Sequence, residues 1–148
     1  MFSVRSARSE DLAAIVRLER EIATAPHWAE GEYAAILEGS GVRRCLLVAG
    51  AGEDLVGFAV GKVVEGEGEL ESVAVAANSR RLGLGKSLCR VVMAWCSAEG
   101  ATTIELEVRA GSAGAIRLYE RLGFSAVGRR IGYYREPVED AVLMRHQF

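Results

Sequence analysis

Arg80-Arg81-Leu82-Gly83-Leu84-Gly85-Lys86-Ser87 stands between a Val-rich stretch, Glu69–Ala76, and a long run of helical period that Gly100 ends. Glycines at 83 and 85 let backbone amides approach a ligand with no Cβ in the way. The first turn of the following helix adds unpaired N–H groups and the positive end of the helix dipole. Such a loop suits an anion, a pyrophosphate in particular, and Arg80, Arg81 and Lys86 put positive charge at its rim. Spacing removes two common phosphate loops. A P-loop needs a glycine where Arg80 stands, and a dinucleotide fold needs one where Leu88 stands. A compact R-x-x-G-x-G cradle after a strand remains, and the same letters also fit a plain helix entry flanked by solvated charges.

Working outward, the N-terminal side reads as a strand at Phe2–Ser6 and then a helix with Ser9 as N-cap, Glu10 and Asp11 lying in its first turn. Its apolar stripe is Leu12, Ile15, Val16 and Leu18 through Ile22, and Ala25-Pro26-His27 breaks it. A short helix spans Glu30 to Leu37 and stops near Gly39. Arg43–Ala49 and Leu55–Val64 read as a hairpin around Gly50-Ala51-Gly52, and Gly66-Glu67-Gly68 turns the chain into the next strand, Glu69–Ala76. In the helix after the cradle, Leu84, Leu88, Val91, Val92 and Trp95 form one side. Thr102–Val108 alternates, with Ile104, Leu106 and Val108 on one face and Glu105 and Glu107 on the other. Ser112–Leu122 is a helix with Ile116, Tyr119 and Leu122 on one side and Gly123 at its end. Phe124–Tyr134 and Asp140–Gln147 close the chain as strands. The order β-α-α-β-β-β-α-β-α-β-β predicts an α/β (α+β) fold: a mixed sheet with helices on both faces, in one domain covering residues 1–148.

Composition bounds the function. Half of the residues are hydrophobic and 26% are charged, the balance of a globular protein that needs no disulfide or metal to fold. A formal net charge of −2 argues against nucleic acid as a partner. No apolar run approaches the ~18 residues of a membrane span, and the N-terminus lacks the apolar core of a signal peptide. Three cysteines, Cys45, Cys89 and Cys96, with no C-x-x-C spacing read as small buried hydrophobes in a reducing cytoplasm. His27 and His146 are far apart, so no metal site is expected.

The cradle, Arg80-x-x-Gly83-x-Gly85, resembles the signature of the GNAT superfamily of acyl-CoA-dependent N-acetyltransferases, Q/R-x-x-G-x-G/A. Leu106-Glu107-Val108-Arg109-Ala110 and Ala115-Ile116-Arg117-Leu118-Tyr119-Glu120-Arg121-Leu122-Gly123-Phe124 narrow the resemblance to the RimI-like group, which acetylates protein N-termini. So do Pro26-His27-Trp28 and Tyr133-Tyr134 followed by Glu139-Asp140-Ala141. The similarity runs from the first strand to the last. It implies a mostly antiparallel, twisted sheet of six or seven strands and a metal-free cytoplasmic enzyme, a monomer or homodimer, that uses acetyl-CoA. The implied acceptor is a protein N-terminus; a small-molecule amine is the alternative, and a non-catalytic acyl-CoA-binding module is a third reading.

The resemblance assigns roles residue by residue. The pyrophosphate lies on the amides of Arg81, Leu82, Gly83, Leu84, Gly85 and Lys86, with Ser87 opening the helix aimed at it. Val73-Ala74-Val75 pairs with the pantetheine arm as an added strand would, and the Val73 N–H polarises the thioester carbonyl. Glu107 is the candidate base, although a strand carboxylate can equally be solvated, as Glu105 is expected to be. Glu69 and Glu71 compete for that role. Their even spacing predicts the face of Val73 and Val75, where they either act as base or attract a cationic substrate. Tyr119 is the candidate acid, its phenol able to donate to a departing thiolate, and a packed core aromatic is the plain alternative. Ser112 stands where the group usually has a cofactor-contacting Asn; a Ser hydroxyl is shorter and could instead cap the next helix, while Gly111 is expected to loosen the loop. Trp28, Tyr133 and Tyr134 are the candidate walls of the acceptor groove.

Overall fold

Phe58, Ala59 and Val60 are consecutive and wholly buried. Successive strand residues point to opposite faces, so this strand must be covered on both sides. The computed structural model, which describes residues 2–22, 28–51, 54–80, 83–135 and 137–148, shows how. Its strands are β1 (Ser3–Ser6), β2 (Arg43–Ala51), β3 (Asp54–Val64), β4 (Glu67–Val75), β5 (Thr103–Arg109), β6 (Ser125–Arg135) and β7 (Val138–Gln147). Its helices are α1 (Leu12–Glu21), α2 (Glu30–Leu37), α3 (Leu84–Ala98) and α4 (Ala113–Arg121). The sheet order is β1-β2-β3-β4-β5-β7-β6. Only β4 and β5 run parallel; every other neighbouring pair is antiparallel. The mixed sheet with helices on both faces expected from the element order is observed, as is the mostly antiparallel pairing that the resemblance implies. The expected breaker at Ala25-Pro26-His27 and Gly52 of the first hairpin lie outside the described residues.

The front face carries α1 and α2, whose Ile15, Val16, Leu18 and Tyr33 bury Leu46, Val48, Phe58, Val60 and Ala74. The back face carries α3 and α4. There Leu84, Leu88, Cys89, Val92 and Cys96 meet Leu47, Ala59, Leu70, Ile104, Leu106 and Val108, with Ile116, Tyr119 and Leu122 packed alongside. Helix α3 turns differently from the expected stripe: Cys89 and Cys96 take inward positions, Val91 is exposed and Trp95 is half-buried. Burial pushes the thiols up, Cys89 and Cys45 to about 12 and Cys96 to about 11. They are small hydrophobes rather than nucleophiles.

Two expectations at α1 change. Ser9 lies within a 3-10 turn, Ser9–Asp11, that precedes the helix. Asp11 is the residue that reaches back, accepting the Arg8 N–H at 2.7 Å and two bonds from the Arg5 guanidinium at 2.7 and 2.9 Å. These bonds hold its carboxyl below the ordinary range, the Arg5 bond contributing most. The α1 stripe also contains a fully buried carboxylate, Glu19, bonded by the Tyr33 hydroxyl.

One irregularity in β4 decides which side chains reach which face. Gly61 of β3 pairs with Leu70, but Val60 pairs with Ser72, so Glu71 is an extra residue, a β-bulge. Before it, Gly68 and Leu70 face back; after it, Val73 and Val75 do.

Leu88 is wholly buried at the centre of the back core. Leu88→Ala should destabilise the protein by about 2–5 kcal/mol, read as a lower urea midpoint with an unchanged m-value.

Candidate active site

The parallel pairing of β4 and β5 is short: Glu67, Gly68 and Glu69 pair with Thr103, Ile104 and Glu105, and the ladder ends there. Beyond it the strands part, and a cleft of about 490 Å³ opens between Leu70–Val73 of β4 and Leu106–Arg109 of β5. Among the described residues the opening leaves the β5-facing edge of β4 without a strand partner over Val73–Val75, while their other edge pairs with Phe58 and its neighbours in β3.

On the back side, Gly83 is the N-cap of α3 with φ +80°, a left-handed conformation that L side chains rarely adopt. The Ser87 N–H donates to the Gly83 carbonyl at 3.0 Å, so the helix begins at Leu84 rather than at Ser87. Open space surrounds the position of a Gly83 Cβ, and one on Gly85 would only touch Leu118 at 3.5 Å. The Leu84 side chain is core, leaving its backbone to the loop. Lys86 is half-buried and Ser87 exposed. Arg80 folds back, its Nε donating to the Val75 carbonyl at 3.3 Å. Arg81 and Leu82 lie outside the described residues. Val73 and Val75 face this side and Ala74 is buried on the other. Tyr119 reaches the cleft from α4, its ring edge-on to Phe124 at 6.0 Å. Burial, above all, raises its phenol above the ordinary range, with Cys89 and Tyr134 adding to the shift.

On the front side stand the carboxylates. Glu107 forms an ion pair with Arg130 Nε at 3.3 Å and faces the Tyr133 phenol across the cleft, and this neighbour is the first cause of that phenol's raised pKa. Glu69 pairs with Lys62 at 3.0 Å and Glu71 with Arg44 at 2.7 Å. Both acids therefore share the front face with Glu107, not the face of Val73 and Val75. The expectation from even spacing fails because the extra residue at Glu71 inverts the alternation. Tyr133 and Tyr134 both line the cleft, their rings T-shaped at 5.1 Å. Trp28 lines it too, its backbone N–H donating to Glu19 at 2.9 Å and its ring tilted on Tyr33 at 5.6 Å.

The loop between β5 and α4 also departs from expectation. Ser112 occupies the N-cap position of α4 and lines the cleft, but its side chain makes no capping hydrogen bond. Gly111 does not loosen the loop. Its N–H donates to Glu139 at 2.6 Å, and a Cβ there would lie 2.5 Å from the same oxygen. The other Glu139 oxygen takes Arg109 Nη1 at 3.3 Å, and the Arg109 guanidinium lies 4.1 Å over the Tyr134 ring. Sequence reading passed over Arg109, Arg130, Glu139, Asp140, Glu19 and Tyr33 as functional candidates. Glu139 and Asp140 stood in a quoted motif as letters, without a partner to give them a task.

Among the described residues no group of three or more His, Cys, Asp or Glu is placed to hold a metal ion, and no helix is long and apolar enough to cross a membrane. The sequence pattern of the Acetyltransferase (GNAT) family matches residues 12–124. The chain is 33% identical over 146 residues to the [Ribosomal protein bS18]-alanine N-acetyltransferase of Escherichia coli K12, covering 97% of this chain and 96% of that one. The crystal structure of the ribosomal-protein-S18-alanine N-acetyltransferase from Escherichia coli superposes with a TM-score of 0.85 at 32% identity, over 99% of this chain and 94% of that one. Arabidopsis thaliana Naa50 in complex with the bisubstrate analogue CoA-Ac-MVNAL shares the fold, with a TM-score of 0.82 at 22% identity and 99% coverage of both chains. A cradle at a helix start, a sheet split beside it and these matches lead to one family: the chain belongs to the GNAT acetyltransferases.

Proposed function

We propose that this enzyme transfers an acetyl group from acetyl-CoA to the α-amino group of a protein N-terminus. The observation that carries the reading is the split between β4 and β5, which joins two chemically different sides of one sheet. The back side supplies helix-start amides and an unpaired strand edge, which fit a pyrophosphate and an amide-bearing arm. The front side supplies carboxylates and tyrosine hydroxyls, which fit an ammonium and the start of a peptide. The relative from Escherichia coli, matched over 96% of its length, is named for acetylating the alanine of a ribosomal protein. The chain acts as one domain over residues 1–148, in the cytoplasm, without metal or nucleic acid, as a monomer or homodimer. The slight negative charge supports the absence of a nucleic-acid partner.

In the reaction the arriving ammonium gives one proton to the base, the neutral amine nitrogen attacks the thioester carbon, the C–S bond breaks, and the second proton that leaves the nitrogen ends on the sulfur. The amides of 81–86 hold the donor and the Val73 N–H polarises its carbonyl. Glu107 takes the proton from nitrogen, directly or through one water. Arg130 must yield part of its hold on Glu107 as the ammonium arrives. Tyr119 serves the thiolate. A thiol near ~8.5 is a stronger acid than a phenol above ~10, so full transfer is uphill; the phenol stabilises charge on sulfur by a hydrogen bond that strengthens as the bond breaks. Because burial holds the Tyr119 proton more tightly than usual, this donor stays protonated at neutral pH and its ionisation cannot shape the rate below about pH 10. Glu69 and Glu71 attract the positive acceptor, and Trp28, Tyr133 and Tyr134 form its walls.

Three measurements test this. Acetyl transfer assayed against a peptide library and an amine panel should favour peptides with free N-termini; transfer to small amines alone overturns the acceptor assignment. Gly83→Glu, which puts charge and a strained backbone at the cradle, should raise the KM for acetyl-CoA at least about tenfold. Glu107→Gln should lower kcat by about 10²–10⁴-fold with a smaller change in the acetyl-CoA KM, and Tyr119→Phe should lower kcat while Glu69→Gln and Glu71→Gln act mainly on the acceptor KM. A nearly unchanged Glu107→Gln beside a dead Glu69→Gln moves the base to β4.

A further inference from the structure

Tyr133 and Tyr134 are consecutive in β6, yet both line the same cleft. Regular alternation forbids this, since neighbours in a strand point to opposite faces. The register gives the reason. Arg130 pairs with Ala141 and Tyr134 with Glu139, so Ile131, Gly132 and Tyr133 together stand opposite Asp140 alone. A bulge of this size re-aims a side chain. Gly132 within it has φ +61°. Tyr133 is thereby turned to the front, where it lines the cleft beside Glu107 and its ring receives the Arg130 guanidinium at 5.6 Å.

Asp140 closes the bulge. One carboxylate oxygen accepts the Gly132 N–H at 2.9 Å and the other accepts Arg129 Nε at 2.8 Å. These two bonds, the backbone one first, hold the carboxyl below its ordinary range. The acid therefore stays ionised throughout the pH range in which an amine acetyltransferase works. Among the described residues no other side chain bonds the Gly132 amide.

We propose that Asp140 is a positioning residue for acetyl transfer: by pinning the 131–133 bulge it sets Tyr133 against Glu107 and so shapes the acceptor side of the cleft. It touches neither donor nor acceptor and acts through Tyr133. The inference rests on the reading of this cleft as the acceptor site, and deepens it by naming the device that builds one wall.

The test compares Asp140→Ala, Asp140→Asn and Gly132→Ala with the parent. Asp140→Ala removes both bonds. Asp140→Asn keeps an acceptor for the Gly132 N–H. Gly132→Ala disturbs the bulge from the other strand, in open space, and serves if Asp140→Ala folds poorly; circular dichroism checks each. Two quantities are read. The first is kcat/KM for an N-terminal peptide, beside the acetyl-CoA dissociation constant. The second is the titration of the Tyr133 phenol, followed by NMR of ring-labelled tyrosine; Glu107, Arg130, Glu69 and Tyr134 are the ionisable groups that face it. Asp140→Ala should lower peptide kcat/KM roughly 10–100-fold, the scale of a small misplacement, with acetyl-CoA binding unchanged and the Tyr133 titration falling toward that of a free phenol. Asp140→Asn should recover much of both. An unmoved Tyr133 titration, or a moved titration with unchanged kcat/KM, overturns the proposal. Glu107→Gln run alongside separates the two readings: full activity there, with loss in Asp140→Ala, sinks the base assignment and leaves Asp140 acting through Tyr133 on the acceptor.

Discussion

A parallel strand pair that stops after Glu69 and Glu105 governs this molecule. Had the ladder continued, β4 and β5 would have satisfied each other's amides and carbonyls, and the sheet would be a closed surface. Because it stops, a strand edge is left for an incoming chain and a passage joins the two faces. Everything around it keeps the strands apart. On one flank β3 holds β4 along its whole length, and on the other β7 holds β5 from Thr103 to Arg109. Helix α3 fills the back beneath the passage, and α4 sends Tyr119 up to it. Among the described residues the front is open beyond α1 and α2, which leaves the two faces accessible from opposite sides.

The charged groups of the cleft come as pairs rather than as bare acids. Lys62 meets Glu69, Arg44 meets Glu71 and Arg130 meets Glu107. The most exposed of these partners, Arg130, is the one beside the proposed base. An exposed ion pair is weak and easily exchanged, so an arriving ammonium can replace Arg130 at small cost. Glu71, more buried and held by a shorter bond, suits a fixed role at the bulge.

The sequence carried the order of elements and the cradle almost whole, because both are local. Helical period, alternation and glycines at turns need only near neighbours to be read. The face of a side chain is not local when a strand bulges. Nothing in Glu69-Leu70-Glu71-Ser72-Val73 announces that Glu71 is supernumerary; the partner strand, through Val60 and Gly61, decides it. The same holds for Tyr133 and Tyr134, for the Asp11 bonds that displaced Ser9 as the cap, and for Gly111, which reads as slack until Glu139 is found against it. Glu19 lies inside the stretch read as an apolar stripe, and the Tyr33 hydroxyl and the Trp28 amide account for its burial.

Strand β6 ends the sheet, and its outer margin has no neighbour among the described residues. A straight margin with Val127 and Ile131 exposed along it would be a template on which another copy's strand could add. The chain is interrupted there twice, once at Val127 and again at 131–133. Each interruption breaks the even spacing of hydrogen-bonding groups that a foreign strand must match. The kinks that bend β6 toward chemistry thus also make its border a poor template for an added strand.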